Sequence, residues 1–154
     1  LAAGADAGRM DEVRVLVGDG DAALSAELAE RIHAFNEEAT GIRDGRLLDA
    51  RVVDEGGELV GAAVGWTFGG CGYVEVLWVR ASSRGQGTGT ALMDAVEAEA
   101  RSRGCTQMAL STHTFQAPAF YAARGYVEVG RTPDYPRGHA QVHLLKEWGS
   151  RRGS

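Results

Sequence analysis

The chain has 154 residues, 44% of them hydrophobic and 24% charged, with a formal net charge of −5. That length suits one hydrophobic core, and the balance is that of a folded chain rather than a disordered one. The acidic charge argues against a general nucleic-acid binder, which needs clustered Lys and Arg, and leans toward small cationic partners. No apolar run approaches the roughly 20 residues that cross a bilayer, and no basic start precedes a hydrophobic signal core, so the expected compartment is cytoplasmic.

One domain is expected over 10–148, with 1–9 and 149–154 as flexible ends or cloning remnants. Alternating Val13, Val15 and Val17 predict a first strand, after which Asp21 caps a helix with the stripe Leu24, Leu28, Ile32 and Phe35, ended by Gly41. From Leu48 to Phe68 the pattern is two strands joined at Glu55-Gly56-Gly57. A turn at Gly69-Gly70-Cys71-Gly72 leads into Tyr73-Val74-Glu75-Val76-Leu77-Trp78-Val79, whose length and apolarity predict a central strand. A helix follows from Thr88 to Arg103 with Leu92, Val96 and Ala100 on one face and Gly104 as its stop. Gln107 to Ser111 is a short strand, and Pro118 opens a helix carrying Phe120 and Tyr121 that closes at Gly125. Tyr126–Val129 and Ala140–Lys146 form a last strand pair around a proline-fixed loop, Pro133 to His139. The order gives a mixed α+β plan with a right-handed strand-helix-strand crossover from Tyr73 to Ser111.

Between the central strand and its helix lies Arg84-Gly85-Gln86-Gly87-Thr88-Gly89, followed by Thr90. Glycines let backbone amides approach an anion, and a helix N-terminus adds unpaired N–H donors and partial positive charge, which suits a pyrophosphate. A Walker loop would need a lysine that is absent, and a dinucleotide fingerprint started at Gly85 would need glycine where Thr90 stands. The pattern Arg/Gln-x-x-Gly-x-Gly/Ala resembles the pyrophosphate loop of the GNAT acetyltransferase superfamily, matched by Arg84, Gly87 and Gly89. Ala117-Pro118-Ala119-Phe120-Tyr121-Ala122-Ala123-Arg124-Gly125-Tyr126 is similar to that family's later Ala-x-x-x-Tyr-x-x-x-Gly-Phe/Tyr motif. The resemblance spans Met10 to Trp148 and is most specific from Tyr73 to Tyr126.

It implies a largely antiparallel sheet of about six or seven strands flanked by helices, acetyl-CoA as co-substrate and no metal. The coenzyme-binding residues it implies are Leu77, Trp78 and Val79 for the pantetheine arm, Arg84, Gly85, Gln86, Gly87, Thr88, Gly89 and Thr90 for the phosphates, and Tyr121. An asparagine common in the family is replaced by Thr114, whose hydroxyl could supply part of its hydrogen bonding. Tyr121 matches the tyrosine that protonates the coenzyme thiolate, and the Val79 N–H would polarise the thioester carbonyl.

Amide formation from a thioester also needs a neutral amine. Glu75 stands as the one carboxylate in an apolar strand, on a face with Tyr73, Leu77 and Val79, and could take the amine's proton directly or through water. Equally, it could pair with an arginine of a neighbouring strand. Tyr121 could instead be a packing aromatic. His113 follows the fifth strand and is read as structural or substrate-shaping, with proton shuttling as the alternative. Tyr73, His113, Tyr135 and His139 are the acceptor-pocket candidates. His33 and His143 are read as incidental, Cys71 and Cys105 as structural, and no spacing forms a metal site.

The leading expectation is an N-acetyltransferase that joins acetyl-CoA and a primary amine of a small molecule in a ternary complex. A catalytically silent acyl-CoA sensor and a protein lysine or N-terminal acetyltransferase are the alternatives, and the presence of both Glu75 and Tyr121 favours the enzyme. Neither nucleic acid nor membrane is an expected partner. A homodimer is allowed, although no motif encodes one.

Overall fold

The computed structural model describes residues 13–149. They fall into two units, one ending at Ala39 and one beginning at Thr40, each treated by itself. Helix α1 spans Ala22–Thr40, all but its last residue in the first. Asp21 caps it as expected, its Oδ1 accepting the N–H groups of Ala23 at 2.9 Å and Leu24 at 3.1 Å. The expected strand at Val13–Val17 does not form: these residues take no regular structure and join no strand ladder. Alternating valines supply β propensity, but a strand exists only where a partner edge completes its hydrogen bonds.

The second unit is built on one six-stranded sheet in the order β1-β2-β3-β4-β6-β5, with β1 at Arg46–Val53, β2 at Leu59–Phe68, β3 at Cys71–Val79, β4 at Gln107–His113, β5 at Val127–Pro133 and β6 at Ala140–Glu147. All neighbours are antiparallel except β3 and β4, which run parallel. A parallel pair needs a crossover, and here it is α2 at Thr88–Ser102. Its buried face of Leu92, Met93, Val96 and Ala100 closes the core with Leu48, Ala63, Val74, Met108, Leu110, Val142 and Leu144. A shorter helix, α3, spans Pro118–Ala123 with proline in its first turn. The mixed α+β architecture is the one the sequence predicts.

Two local devices shape β3. Gly69 and Gly70 both take positive φ, 58° and 86°, which lets a two-residue turn join β2 to β3. At Gly65 the register slips between Val64 and Gly65, and an added Cβ would collide with the carbonyl oxygen of Tyr73. Only glycine permits the backbone to approach β3 that closely. Cys71 and Cys105 are free thiols. Among the described residues no helix is long and apolar enough to cross a membrane.

Beneath α3 lies a buried ionic cluster. Glu97 on α2, 3% exposed, accepts hydrogen bonds from Arg124 Nη2 at 3.1 Å, the Tyr126 hydroxyl at 3.0 Å and Lys146 Nζ at 2.8 Å. Arg124, at the C-cap of α3, also reaches Asp94 at 2.7 Å. Burial alone would raise the Glu97 carboxyl, but the bonds from Lys146, Arg124 and Tyr126 outweigh it and hold the group below its ordinary value. Burial pushes the Tyr126 phenol strongly up, and the neighbouring Glu97 carboxylate adds to it. One carboxylate thus ties α2 to α3, to the start of β5 and to β6.

Candidate active site

The ladder between β3 and β4 is short. It runs from Cys71 opposite Gln107 to Val74 opposite Leu110 and then stops, although β3 continues to Val79 and β4 to His113. The strands part and leave a wedge in the sheet, which opens into a cavity of about 970 Å³. Along β3 it is lined by Tyr73, Glu75, Leu77, Trp78 and Val79, and from β4 onward by Ser111, Thr112, His113, Phe115 and Gln116.

The glycine loop borders the same cavity through Arg84, Gly85, Gly87, Thr88, Gly89 and Thr90. Gly85 and Gly87 hold φ at 74° and 82°, and Gly87 is the N-cap of α2. The Ala91 N–H donates to the Gly87 carbonyl at 2.9 Å. The N–H groups of Thr88, Gly89 and Thr90 precede that bond and have no intrahelical partner. No acidic residue occupies the first turn, so the helix end keeps its partial positive charge. Arg84 folds back, its Nε donating to the Val79 carbonyl at 3.1 Å, which ties the loop to the end of β3. These features fit a bound pyrophosphate.

Glu75 is exposed at the wall of the wedge and forms no ion pair among the described residues. Neither neighbouring strand, β2 or β4, contains an arginine, and Arg80, which follows β3 itself, binds Asp54 at 3.2 Å. Tyr73 is half-buried and stacks on Trp66 at 4.7 Å between ring centroids. Tyr121 is buried on α3, edge-on to Phe120 and Tyr126, and burial raises its phenol above the ordinary value, so it stays protonated at neutral pH. His113 stacks on Phe115 and meets Tyr135 edge-on, each at 5.3 Å, and its Nδ1 lies 3.2 Å from the Tyr135 carbonyl oxygen.

Four expected site residues do not line the cavity: Gln86, Thr114, Tyr135 and His139. Gln86 turns to the Ser82 carbonyl at 3.4 Å. The Thr114 hydroxyl accepts the Ala140 N–H at 3.1 Å and so braces β4 against β6. Tyr135 and His139 reach the cavity wall only through the rings of His113 and Phe115. Conversely, Ser111, Phe115, Gln116, Phe120 and Gln141 line it although none is among the expected site residues. Strand alternation puts Ser111 on the face of His113, and that was the available signal. Among the described residues no three acidic, His or Cys side chains cluster as metal ligands would.

Comparison with known proteins agrees with this geometry. The model of the Acetyltransferase (GNAT) family matches residues 21–126. Blasticidin-S acetyltransferase of Streptomyces morookaense is 43% identical over 94 residues, which is 60% of this chain and 69% of that one. The crystal structure of an acetyltransferase from Bacillus cereus superposes with a TM-score of 0.72 at 26% identity, covering 86% of this chain and 97% of the other. That of nourseothricin acetyltransferase gives a TM-score of 0.56 at 26% identity, over 69% of this chain and 66% of its counterpart.

Proposed function

Because the chain belongs to the GNAT acetyltransferase family, whose members use acetyl-CoA, we propose that it acetylates a primary amine of a cationic small molecule by direct attack in a ternary complex. One observation carries the reading. The wedge between β3 and β4 has the anion-binding loop on one wall and Glu75, the one carboxylate among its lining residues, on another. An anionic coenzyme and a cationic acceptor thus find opposite charges on separate walls. The similarity to blasticidin-S acetyltransferase supports a small-molecule acceptor.

On this reading the amides of Thr88 to Thr90 hold the pyrophosphate, and the β3 backbone from Leu77 to Val79 aligns the thioester for attack. Gln86 belongs to that loop, Thr114 stiffens the far wall, and Tyr73 and His113 shape the acceptor pocket, with Tyr135 supporting His113 and His139 supporting Phe115. Glu75 receives the ammonium and takes its first proton, directly or through water. Tyr121 donates to the departing thiolate. A phenol near 10 and a thiol near 8.5 differ by about 1.5 units, so full transfer from even an ordinary tyrosine is uphill by about 2 kcal/mol. Tyr121 therefore acts first as a hydrogen-bond donor that lowers the charge on sulfur.

Thiol release from acetyl-CoA, followed across a panel of blasticidin S, nourseothricin, simple diamines and lysine or N-terminal peptides, tests the proposal. Acceleration by small cationic amines above the peptides is expected. Acceleration by peptides alone would make it a protein acetyltransferase, and by none a silent binder.

A further inference from the structure

The wall of the wedge carries a polar pair that this reaction scheme leaves unused. Ser111 lies on β4 one residue beyond the last β3–β4 register pair, Val74 with Leu110, just as Glu75 does on β3. The two residues therefore stand at the point where the strands part, and both line the cavity. Across the antiparallel ladder with β6, the register partner of Ser111 is His143. Ser111 Oγ lies 2.8 Å from His143 Nδ1, and on the far side of the ring Thr132 Oγ1 of β5 lies 3.2 Å from Nε2. Hydroxyls on both ring nitrogens fix the plane of the imidazole. Of the three, only Ser111 borders the cavity.

Acetylating an ammonium removes two protons from nitrogen, while the thiolate takes back only one. Glu75 accounts for the first. The second must leave as the carbon–nitrogen bond forms, when nitrogen is most acidic. We propose that Ser111 and His143 form a proton relay for this second step, with Ser111 as the catalytic residue that touches the amine and His143 as the residue acting through it. The amine N–H breaks as Ser111 Oγ gains that proton, and the serine O–H breaks as His143 Nδ1 gains its own. The resulting imidazolium keeps its Nε2–H on Thr132 and later releases one proton to water. The sulfur–carbon bond breaks as the thiolate accepts a hydrogen bond from Tyr121. Of the two protons taken from nitrogen, the one held on Glu75 reaches sulfur through water and the one on His143 is the one released, so charge and atoms balance. This proposal rests on the amine-acetylating reading above.

Other titratable groups on the surrounding strands are His113 on β4, Cys71, Tyr73 and Glu75 on β3, and Glu128 and Arg131 on β5, which bond each other at 2.8 Å. On β6 itself Lys146 is held by Glu97 at 2.8 Å, and Glu147 ends the strand. None of these is placed between Ser111 and His143, whose separation is a hydrogen-bond length.

Steady-state kinetics with acetyl-CoA and blasticidin S as the probe acceptor, taken over pH, test the relay. Ser111→Ala and His143→Gln should each lower kcat about 100-fold with the KM for acetyl-CoA unchanged. Each should also flatten the acidic limb of the wild-type profile, because only a neutral imidazole can accept the proton. Ser111→Thr, which keeps the hydroxyl, should recover most of the rate. Both variants within twofold of wild type, with the same pH profile, would overturn the proposal. So would an acetyl group found on Ser111 by mass spectrometry, since the serine would then be a nucleophile. Should wild-type protein leave blasticidin S unmodified, the acceptor assignment fails, and histidine nitrogen NMR of the free protein still decides the relay. A proton on Nε2 of neutral His143 supports it, and a proton on Nδ1 refutes it.

Discussion

Replacing Glu97 with alanine tests whether the buried cluster braces α3. The substitution leaves the guanidinium of Arg124 and the ammonium of Lys146, whose side chains are only 12% and 20% exposed, without their shared carboxylate. The Tyr126 hydroxyl also loses its acceptor at 3.0 Å. Breaking a buried pair from one side costs about 3–5 kcal/mol, because the remaining charge stays desolvated. Asp94, 2.7 Å from Arg124, compensates in part, which places the expectation near the lower end, about 3 kcal/mol. At about 2–4 °C per kcal/mol for a chain of this size, the melting temperature should fall by about 10 °C. The sign with pH follows from a carboxyl held below its ordinary value. Its contribution is complete above the unfolded-state value near 4.3 and disappears as pH falls through the folded one. The gap between wild type and Glu97→Ala should thus be constant from about pH 8 to pH 5 and close in acid. Thermal melts carried from that range into acid measure it. A loss below about 1 kcal/mol at neutral pH, or a gap that widens in acid, would show that the cluster behaves like an exposed ion pair.

Gly87→Val forces a β-branched residue into φ of 82° at the N-cap of α2 and should weaken coenzyme binding about tenfold by calorimetry, the scale of a 1–2 kcal/mol penalty. Tyr121→Phe keeps the ring and should lower kcat about 10- to 1,000-fold while melting temperature and coenzyme affinity hold; a fully active variant would leave Tyr121 a packing residue. Gly65→Ala sets a methyl against the Tyr73 carbonyl oxygen and should cost about 1–3 kcal/mol in denaturant unfolding.

Much of the second unit was readable because its signals are local. The turn glycines, the apolar face of α2, the proline at the head of α3 and the glycine loop each depend on neighbours a few residues away. What could not be read is non-local. Val13, Val15 and Val17 alternate like a strand, yet pairing depends on a distant edge, and none completes them. His143 looked incidental because 32 positions separate it from Ser111, and only the β4–β6 register joins them. The wedge itself is a missing ladder, and missing hydrogen bonds leave no pattern in a sequence. The resemblance places Thr114 and the proline-fixed loop places Tyr135 near the site, but their side-chain directions depend on how β6 returns along β4.

The parting of β3 and β4 also divides responsibility between the two half-sheets. On the proposed assignment, the residues that grip the coenzyme's pantetheine arm and phosphates sit on the β3–α2 side, in Leu77 to Val79 and Arg84 to Thr90, with Tyr121 of α3 meeting only its sulfur. Apart from Tyr73 and Glu75, the surface left for the acceptor belongs to the opposite half, at Ser111, His113, Phe115, Gln116 and Gln141. Substitutions at His113, Phe115, Gln116 or Gln141 can redraw the range of acceptors without loosening the hold on the acyl donor, while Ser111 is kept by its place in the proposed relay. A fold split along such a seam can diversify its acceptors on one side while its grip on the donor stays fixed on the other.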